Sequence, residues 1–549
     1  MNTVTTLLSR LRQRAFTASL GLGLVLGSCN VLDYTQQDAI LEDVVYTDAS
    51  RIALAVTGVY DAAQSGYYNG NNANSGVRGY PFGAASTDLG DARGEDITDI
   101  ANFFGLVYSN TIGNSSPNVV YMWANLFTLV NKANVTIAGI KQAQANNVIS
   151  ASQETAYEGE LRFLRALAYM ELVINWSKPY TDGNGANLGV PYRDTPVNTT
   201  AGITSAGNVD RGTVANVYEK MLVDLDFAEN NIPTTATGKT RATKGAAIAL
   251  KQRLNLYKGD WAGVIREGNK LINGTATFTS PIGGYTLAAT QRAAFTGSAT
   301  TGESIFSIEN SSTDNASTNG GIGSVFGNTA TVANGGAGGR ALLAISPTLY
   351  NAPFFTCNDL RRTQMMQVDV SRYVSRKYLD GATNTDYNPI MRYAEVLLNQ
   401  AEALSRTGQE AQALALLNAV RNRSVAAADQ YTATTAPAGD ALTQAILNER
   451  RIEFVAEGLR WGDISRLATD TKFAPYPGGG IPAKYWGQTA GNIALTRYSC
   501  GTGAPAGVKP GVDAIPYKGD PTSYLFLWPI PVAETQLNPK LTQNPGYGS

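Results

Sequence analysis

The chain of 549 residues contains no histidine. That absence excludes Ser-His-Asp and Cys-His nucleophile systems, imidazole proton shuttles and His-ligated zinc together. Charge is also scarce, at 16% of the chain against roughly 25% in an average soluble protein. The 43 basic and 44 acidic residues leave a formal net charge of -1, which offers no field to steer a polyanion, so nucleic acid is not expected as a partner. Cysteine is limited to Cys29, Cys357 and Cys500. An oxidising compartment permits the last two to pair, but whether they face each other is not written in the sequence. Plentiful instead is glycine, at 56 residues, with Asn, Thr and Ser crowding the loops. The length exceeds one ordinary hydrophobic core and implies one large or two intimately packed domains.

Arg10, Arg12 and Arg14 precede an apolar stretch from Ala15 to Gly27 that ends in small residues, the pattern of an export signal. The stretch is too short to span a bilayer comfortably. Leu26-Gly27-Ser28-Cys29 resembles a bacterial lipobox, which implies cleavage before Cys29 and acylation of that cysteine. Several acyl chains on one residue anchor a protein stably, where a single chain is marginal. Residues 1–28 are therefore expected to be a lipoprotein signal peptide, and outer-membrane lipid is an expected partner through Cys29.

Beyond the signal, helical periodicity dominates. Leu161, Leu164, Ala168 and Leu172 recur at spacings of three and four, an apolar stripe on one helix face. The pattern predicts helices over 51–64, 118–143, 152–175, 212–230, 242–257, 261–272, 390–405, 410–423 and 440–457. Strand candidates are few, the best being Ser304–Ile308 and Leu525–Ile530. Two helix pairs look alike, turning at Lys258-Gly259-Asp260 and at Thr407-Gly408-Gln409; aligned on their glycines, Ala262 matches Ala411 and Ile265 matches Leu414. A tetratricopeptide-like hairpin requires this pattern. From Gly274 to Arg340 the period disappears, and Ser311 to Gly339 is nearly all Ser, Thr, Asn, Gly and Ala. A loop of that length is a candidate binding surface held by the helices.

Four stretches carry a resemblance to a known family. They are Leu161-Arg162-Phe163-Leu164-Arg165-Ala166-Leu167-Ala168-Tyr169; Arg392-Tyr393-Ala394-Glu395 with Ala401-Glu402-Ala403; Glu449-Arg450-Arg451 through Glu457-Gly458-Leu459-Arg460-Trp461-Gly462-Asp463; and Trp528-Pro529-Ile530-Pro531 with Gln543-Asn544-Pro545-Gly546-Tyr547. Gly189-Val190-Pro191 and Arg211-Gly212-Thr213 add support. Together they resemble the SusD/RagB outer-membrane lipoproteins. The loop Trp176-Ser177-Lys178-Pro179-Tyr180 departs from the family pattern. The resemblance implies a mainly α fold with few short strands, in which four tetratricopeptide-like hairpins support a loop-rich half. It also implies an N-terminal region over 29–240 packed with a C-terminal region over 241–549, no cofactor, no catalysis, and a place on a SusC-type TonB-dependent transporter.

Three constellations invite chemistry. Glu449, Glu453 and Glu457 fall four apart on one helix face, where like charges repel. Either cations offset them, with Arg450, Arg460 and Arg392 as candidates, or two of them are the acid and nucleophile of a glycosidase. Asp88, Asp91, Glu95, Asp96 and Asp99 gather five carboxylates in twelve residues; their spacing fits no calcium loop, and turn-making or helix-capping is the expected use. The third is a run of rings in polar loops, Tyr67, Tyr68, Tyr80, Phe82, Phe103, Phe104 and Tyr108. Flat rings cover the C–H face of a sugar while amides and guanidiniums satisfy its hydroxyls. Tyr67, Tyr68 and Phe103 are the expected stacking platforms for a neutral oligosaccharide, with Arg78, Asn71 and Arg93 as hydrogen-bonding partners. The resemblance adds Phe326 from the mid-chain loop. It also keeps open a peptide ligand, which would pair its backbone with loops.

Overall fold

The structure is a computed structural model that describes residues 42–68, 77–235, 238–296, 301–329, 338–432, 434–486, 494–503 and 511–548. The signal segment and Cys29 lie outside the described residues. Helices dominate: α1 (Ala49–Gln64), α2 (Ala85–Ala92), α3 (Pro117–Ala145), α4 (Ala151–Trp176), α5 (Val214–Asn231), α6 (Lys244–Lys258), α7 (Trp261–Gly268), α8 (Tyr393–Arg406), α9 (Glu410–Arg421), α10 (Asp440–Phe454) and α11 (Leu459–Arg466). All nine predicted helices are present. The largest boundary errors are α7, which stops at Gly268 rather than 272, α10, which stops at Phe454 rather than 457, and α8, which starts at Tyr393 rather than 390 because Asn388–Arg392 is a strand. Among the described residues no helix is long and apolar enough to cross a membrane.

Local chemistry sets the helix ends. Ser150 and Gln153 form a reciprocal capping box at the start of α4, while Thr213 and Thr243 accept from backbone N–H groups of the first turns of α5 and α6. Each such cap satisfies donors that the helix itself leaves without partners. Successive helices from α3 to α10 pack on one another, and the two look-alike hairpins are α6–α7 and α8–α9. Their turns need Gly259 and Gly408, whose φ values are +70° and +79°, a region that costs any side chain with a Cβ.

Among the described residues the strands form five two-stranded antiparallel sheets. Ser304–Ile308 is a strand as expected, paired with Asn388–Arg392. Leu525–Ile530 is not. Ser523–Phe526 is a short 3-10 turn, and the segment after it spends its polar groups on other partners: Trp528 N donates to Asn175 O and Ile530 N to Gln543 Oε1. Side-chain and loop acceptors thus replace a strand ladder.

Those bonds belong to a clasp that closes the fold. Trp123, Trp176 and Trp528 stack edge to face at 5.2 and 5.0 Å between ring centres. Trp176 Nε1 donates to Pro529 O at 2.8 Å, and Asn544 Nδ2 reaches both Trp176 O (2.9 Å) and Trp528 O (2.7 Å). Arg211 ties Gly189 O, Trp176 O and Asn544 Oδ1 together. Gly189, Arg211, Trp528, Pro529, Gln543 and Asn544, which carry part of the family resemblance, thus serve the clasp. Cys357 and Cys500 form a disulfide across 143 positions of sequence.

Candidate ligand-binding site

After α1 the chain makes a small hairpin, Gly66–Tyr67 against Val77–Tyr80. Gly66 is required there because a methyl group would strike Tyr80 O and the Asn125 side chain; Asn125 Nδ2 also donates to Tyr67 O at 2.9 Å. The hairpin presents Tyr67, Tyr68 and Arg78, all half-buried. Tyr68 packs against Tyr121 of α3 at 4.9 Å between ring centres. Asp99, at the end of the strand Ile97–Asp99, accepts from Phe103 N (3.2 Å) and Phe104 N (2.9 Å), which fixes the turn that holds Phe103 half-exposed. Burial pushes the Asp99 carboxyl up to about 6, against the pull of these backbone donors.

These pieces converge. The Arg78 guanidinium lies 4.1 Å from the Tyr68 ring centre and 5.3 Å from that of Phe103, and Arg340 approaches Phe103 at 5.2 Å. All three contacts are within cation–π range. Arg340 is held by Asn319 Oδ1 at 2.7 Å, and Gly320 sits so close to the Arg78 backbone that a Cβ there would collide with it. The polar mid-chain segment thereby forms one wall of the surface. Rings, guanidiniums and an amide on one face are the elements of sugar recognition.

Of the sequence-predicted residues, the structure brings together Tyr68, Arg78 and Phe103, with Tyr67 on the same hairpin. Asn71 lies outside the described residues. Arg93 and Phe326 are corrections. Arg93 is 1% exposed, its guanidinium 3.2 Å from the Trp461 ring centre and bonded to Asn175 Oδ1 (2.7 Å) and Phe526 O (2.6 Å); it is a core post, not a ligand donor. Phe326 is fully buried in a five-residue helix, Ile322–Phe326, with its ring facing Tyr378. Of the remaining rings in the run, Tyr80, Phe82, Phe104 and Tyr108 are also buried. Sequence reasoning missed Arg340, Asn319 and Tyr121. The first two border a Gly-rich run read only as loop, and Tyr121 is masked by the period of α3.

The glutamate row is an ion-pair network. Glu453 is fully buried and accepts from Arg361 (3.1 Å), Arg392 (3.2 Å) and Arg423 (2.6 Å). Glu449 meets Arg361 and Arg421, and Glu457 meets Arg392 and Lys377. Burial pushes the Glu453 carboxyl up, and Arg423, Arg392 and Arg361 overcome it, holding the group down at about 2. Of the three expected cations only Arg392 touches the row; Arg450 is taken by Asp463 and Arg460 by Glu95. The acidic run is dispersed as well. Glu95 and Asp96 pair with Arg451 and Arg460, Asp99 caps its turn, and Asp88 and Asp91 are buried in α2 with carboxyls that burial pushes up, that of Asp91 to about 8. Elsewhere a groove of about 880 Å³ opens between Asn110, Tyr476, Trp486 and Asp513.

Comparison with known proteins agrees with this architecture. The sequence model described as SusD family matches residues 361–547, and one described as starch-binding associating with outer membrane matches residues 91–256. SusD-like protein P38 of Formosa agariphila is 24% identical over 502 residues, 82% of this chain and 90% of that protein. SusD-like protein P2 of the same organism is 26% identical over 398 residues, 65% of this chain and 73% of its own length. A SusD superfamily protein from Bacteroides fragilis superposes with a TM-score of 0.70 at 25% identity, over 91% of this chain and 100% of its own. A laminarin binding SusD-like protein does so at 0.62 and 21%, over 91% and 100%, a likeness of fold. The chain belongs to the SusD family.

Proposed function

We propose that this protein captures oligosaccharide at the cell surface for delivery to a SusC-type TonB-dependent transporter, is held in the outer membrane by acylated Cys29, and catalyses nothing. The observation that carries the reading is the convergence of Tyr68, Arg78, Phe103 and Arg340 on one half-exposed surface. Open aromatic and guanidinium surface suits transient capture, with several weak contacts adding along a chain of sugars. The laminarin-binding neighbour and the outer-membrane, starch-binding description of the matched family support the ligand class and the location. The non-catalytic reading is supported by the glutamate row, in which every carboxylate is pinned by buried cations, an arrangement that builds structure rather than an acid–nucleophile pair.

The test is replacement of Tyr67, Tyr68 and Phe103 together by alanine in the chain starting at Asn30, with glycan binding followed by calorimetry and gel retardation and the products analysed. The expected result is loss of binding with an unchanged circular dichroism spectrum and no product from either protein. Sugar released by the parent overturns the non-catalytic reading, and retention of binding in the variant overturns the site. Binding of peptides in place of glycans moves the cargo to the RagB type.

A further inference from the structure

The binding surface carries uncompensated positive charge, and on the capture reading above this specifies the glycan. The described residues that build the surface fall in 65–68, 77–82, 100–123, 315–329 and 338–343, and none of these is an Asp or Glu. Their only charged residues are Arg78 and Arg340, so this patch is doubly cationic on a protein whose formal net charge is -1. Neither arginine forms an ion pair among the described residues, whereas Arg361, Arg392, Arg423, Arg450 and Arg466 each meet at least one carboxylate.

The carboxylates that border these segments are otherwise engaged. Asp99 gives its oxygens to the N–H groups of Phe103 and Phe104. Asp314, beside Asp61 and Glu309, has a carboxyl that burial and these two like charges push up, which favours its neutral form. Asp386 accepts from Leu379 N and Asp380 N, and Asp380 from the N–H groups of Thr383 and Thr385. The two guanidiniums meanwhile share the Phe103 ring as neighbour, at 5.3 and 5.2 Å from its centre, which keeps them within the length of a short oligosaccharide. Two like charges beside apolar rings repel with less screening than in water.

We propose that the captured glycan is anionic, bearing carboxylate or sulfate groups that engage Arg78 and Arg340 while its sugar rings lie on the open surface of Tyr68 and Phe103. A guanidinium pairs with planar or tetrahedral oxyanions through two parallel N–H donors, which a neutral hydroxyl cannot match. Arg340 is already oriented by Asn319, so part of the ordering cost of binding is met before the ligand arrives. This proposal departs from the expectation of a neutral oligosaccharide.

The experiment measures binding of the chain from Asn30 to laminarin, to laminarin sulfate and to polygalacturonate by calorimetry at low and high salt. The same titrations are run with Arg78→Gln/Arg340→Gln and with Tyr68→Ala/Phe103→Ala, the melting temperature of each being checked. The expected result is affinity for one anionic polymer at least roughly tenfold above laminarin, weakened by salt and reduced tenfold or more by the arginine pair of substitutions. The arm that binds identifies the anion as sulfate or carboxylate. Equal or tighter binding of laminarin, still dependent on Tyr68 and Phe103, overturns the anionic assignment and leaves capture standing. Anionic binding untouched by the arginine substitutions overturns the role of Arg78 and Arg340, and no binding to any of the three overturns both this inference and the capture reading.

Discussion

Replacing Glu453 by glutamine removes one negative charge and little volume from the centre of the fold. Five cations, Arg361, Arg392, Arg421, Arg423 and Lys377, there face five carboxylates, Asp359, Glu303, Glu449, Glu453 and Glu457. Glu453 is the member that Arg361, Arg392 and Arg423 share, so its loss leaves a buried excess charge with no water to screen it. Breaking a buried pair in this way costs about 3–5 kcal/mol. Spread over 549 residues, that is a fall in Tm of only about 3–5 °C if the chain unfolds as one unit, which differential scanning calorimetry resolves. The pH dependence supplies a second reading. A carboxyl held down at about 2 from an ordinary 4.5 contributes stability that is present above 4.5 and lost as pH falls toward 2. The parent should therefore lose its advantage over Glu453→Gln across that window. An unchanged Tm, or a constant difference down to pH 2, refutes the charge-balance argument.

Asp91, pushed up to about 8 by burial, must hold its proton in the folded state, so the parent loses stability as pH rises from about 4 to about 8. Asp91→Asn should remove that decline and be the more stable protein at pH 9 by on the order of a few kcal/mol, read from urea midpoints. Cys500→Ser opens the link to Cys357 and should cost about 2–4 kcal/mol, matched in the parent by adding reductant during the melt. Arg93→Ala leaves a gap between Trp461 and Trp528 and strips a donor from Asn175 and Phe526. It should destabilise by about 2–4 kcal/mol while glycan affinity per folded molecule stays the same.

The helical half was legible because its signals are local. Stripes at spacings of three and four, threonine and serine caps, and a glycine in each hairpin turn mark α4 and α6 to α9 within a few residues. The candidate surface was legible only in part, since rings in polar loops look alike in sequence whether they end up half-exposed, as Tyr68 and Phe103 do, or in the core, as Phe104 and Tyr108 do. What separates them is long-range: Phe104 and Tyr108 fall on the inward side of a turn that Asp99 fixes. Arg93 and Arg340 show the same limit in reverse, because each acquires its role from residues more than 200 positions away, Trp461 and Trp528 for the first and Phe103 for the second. The Leu525–Ile530 segment misled because a short unbroken apolar run signals an extended chain without saying what will pair with it.

The clasp on Trp176 sets the timing of folding. Asn544 bonds to a carbonyl 368 positions earlier, and Trp528 fills the space beside Trp176 and Trp123. At ~5–20 residues per second of synthesis, the first long helices wait roughly 20–70 s for the residues that seal them. Until then the nascent chain has its hairpins but not its lock. A chain that stops short of Asn544 lacks that seal and is expected to be cut faster than the full chain in limited proteolysis.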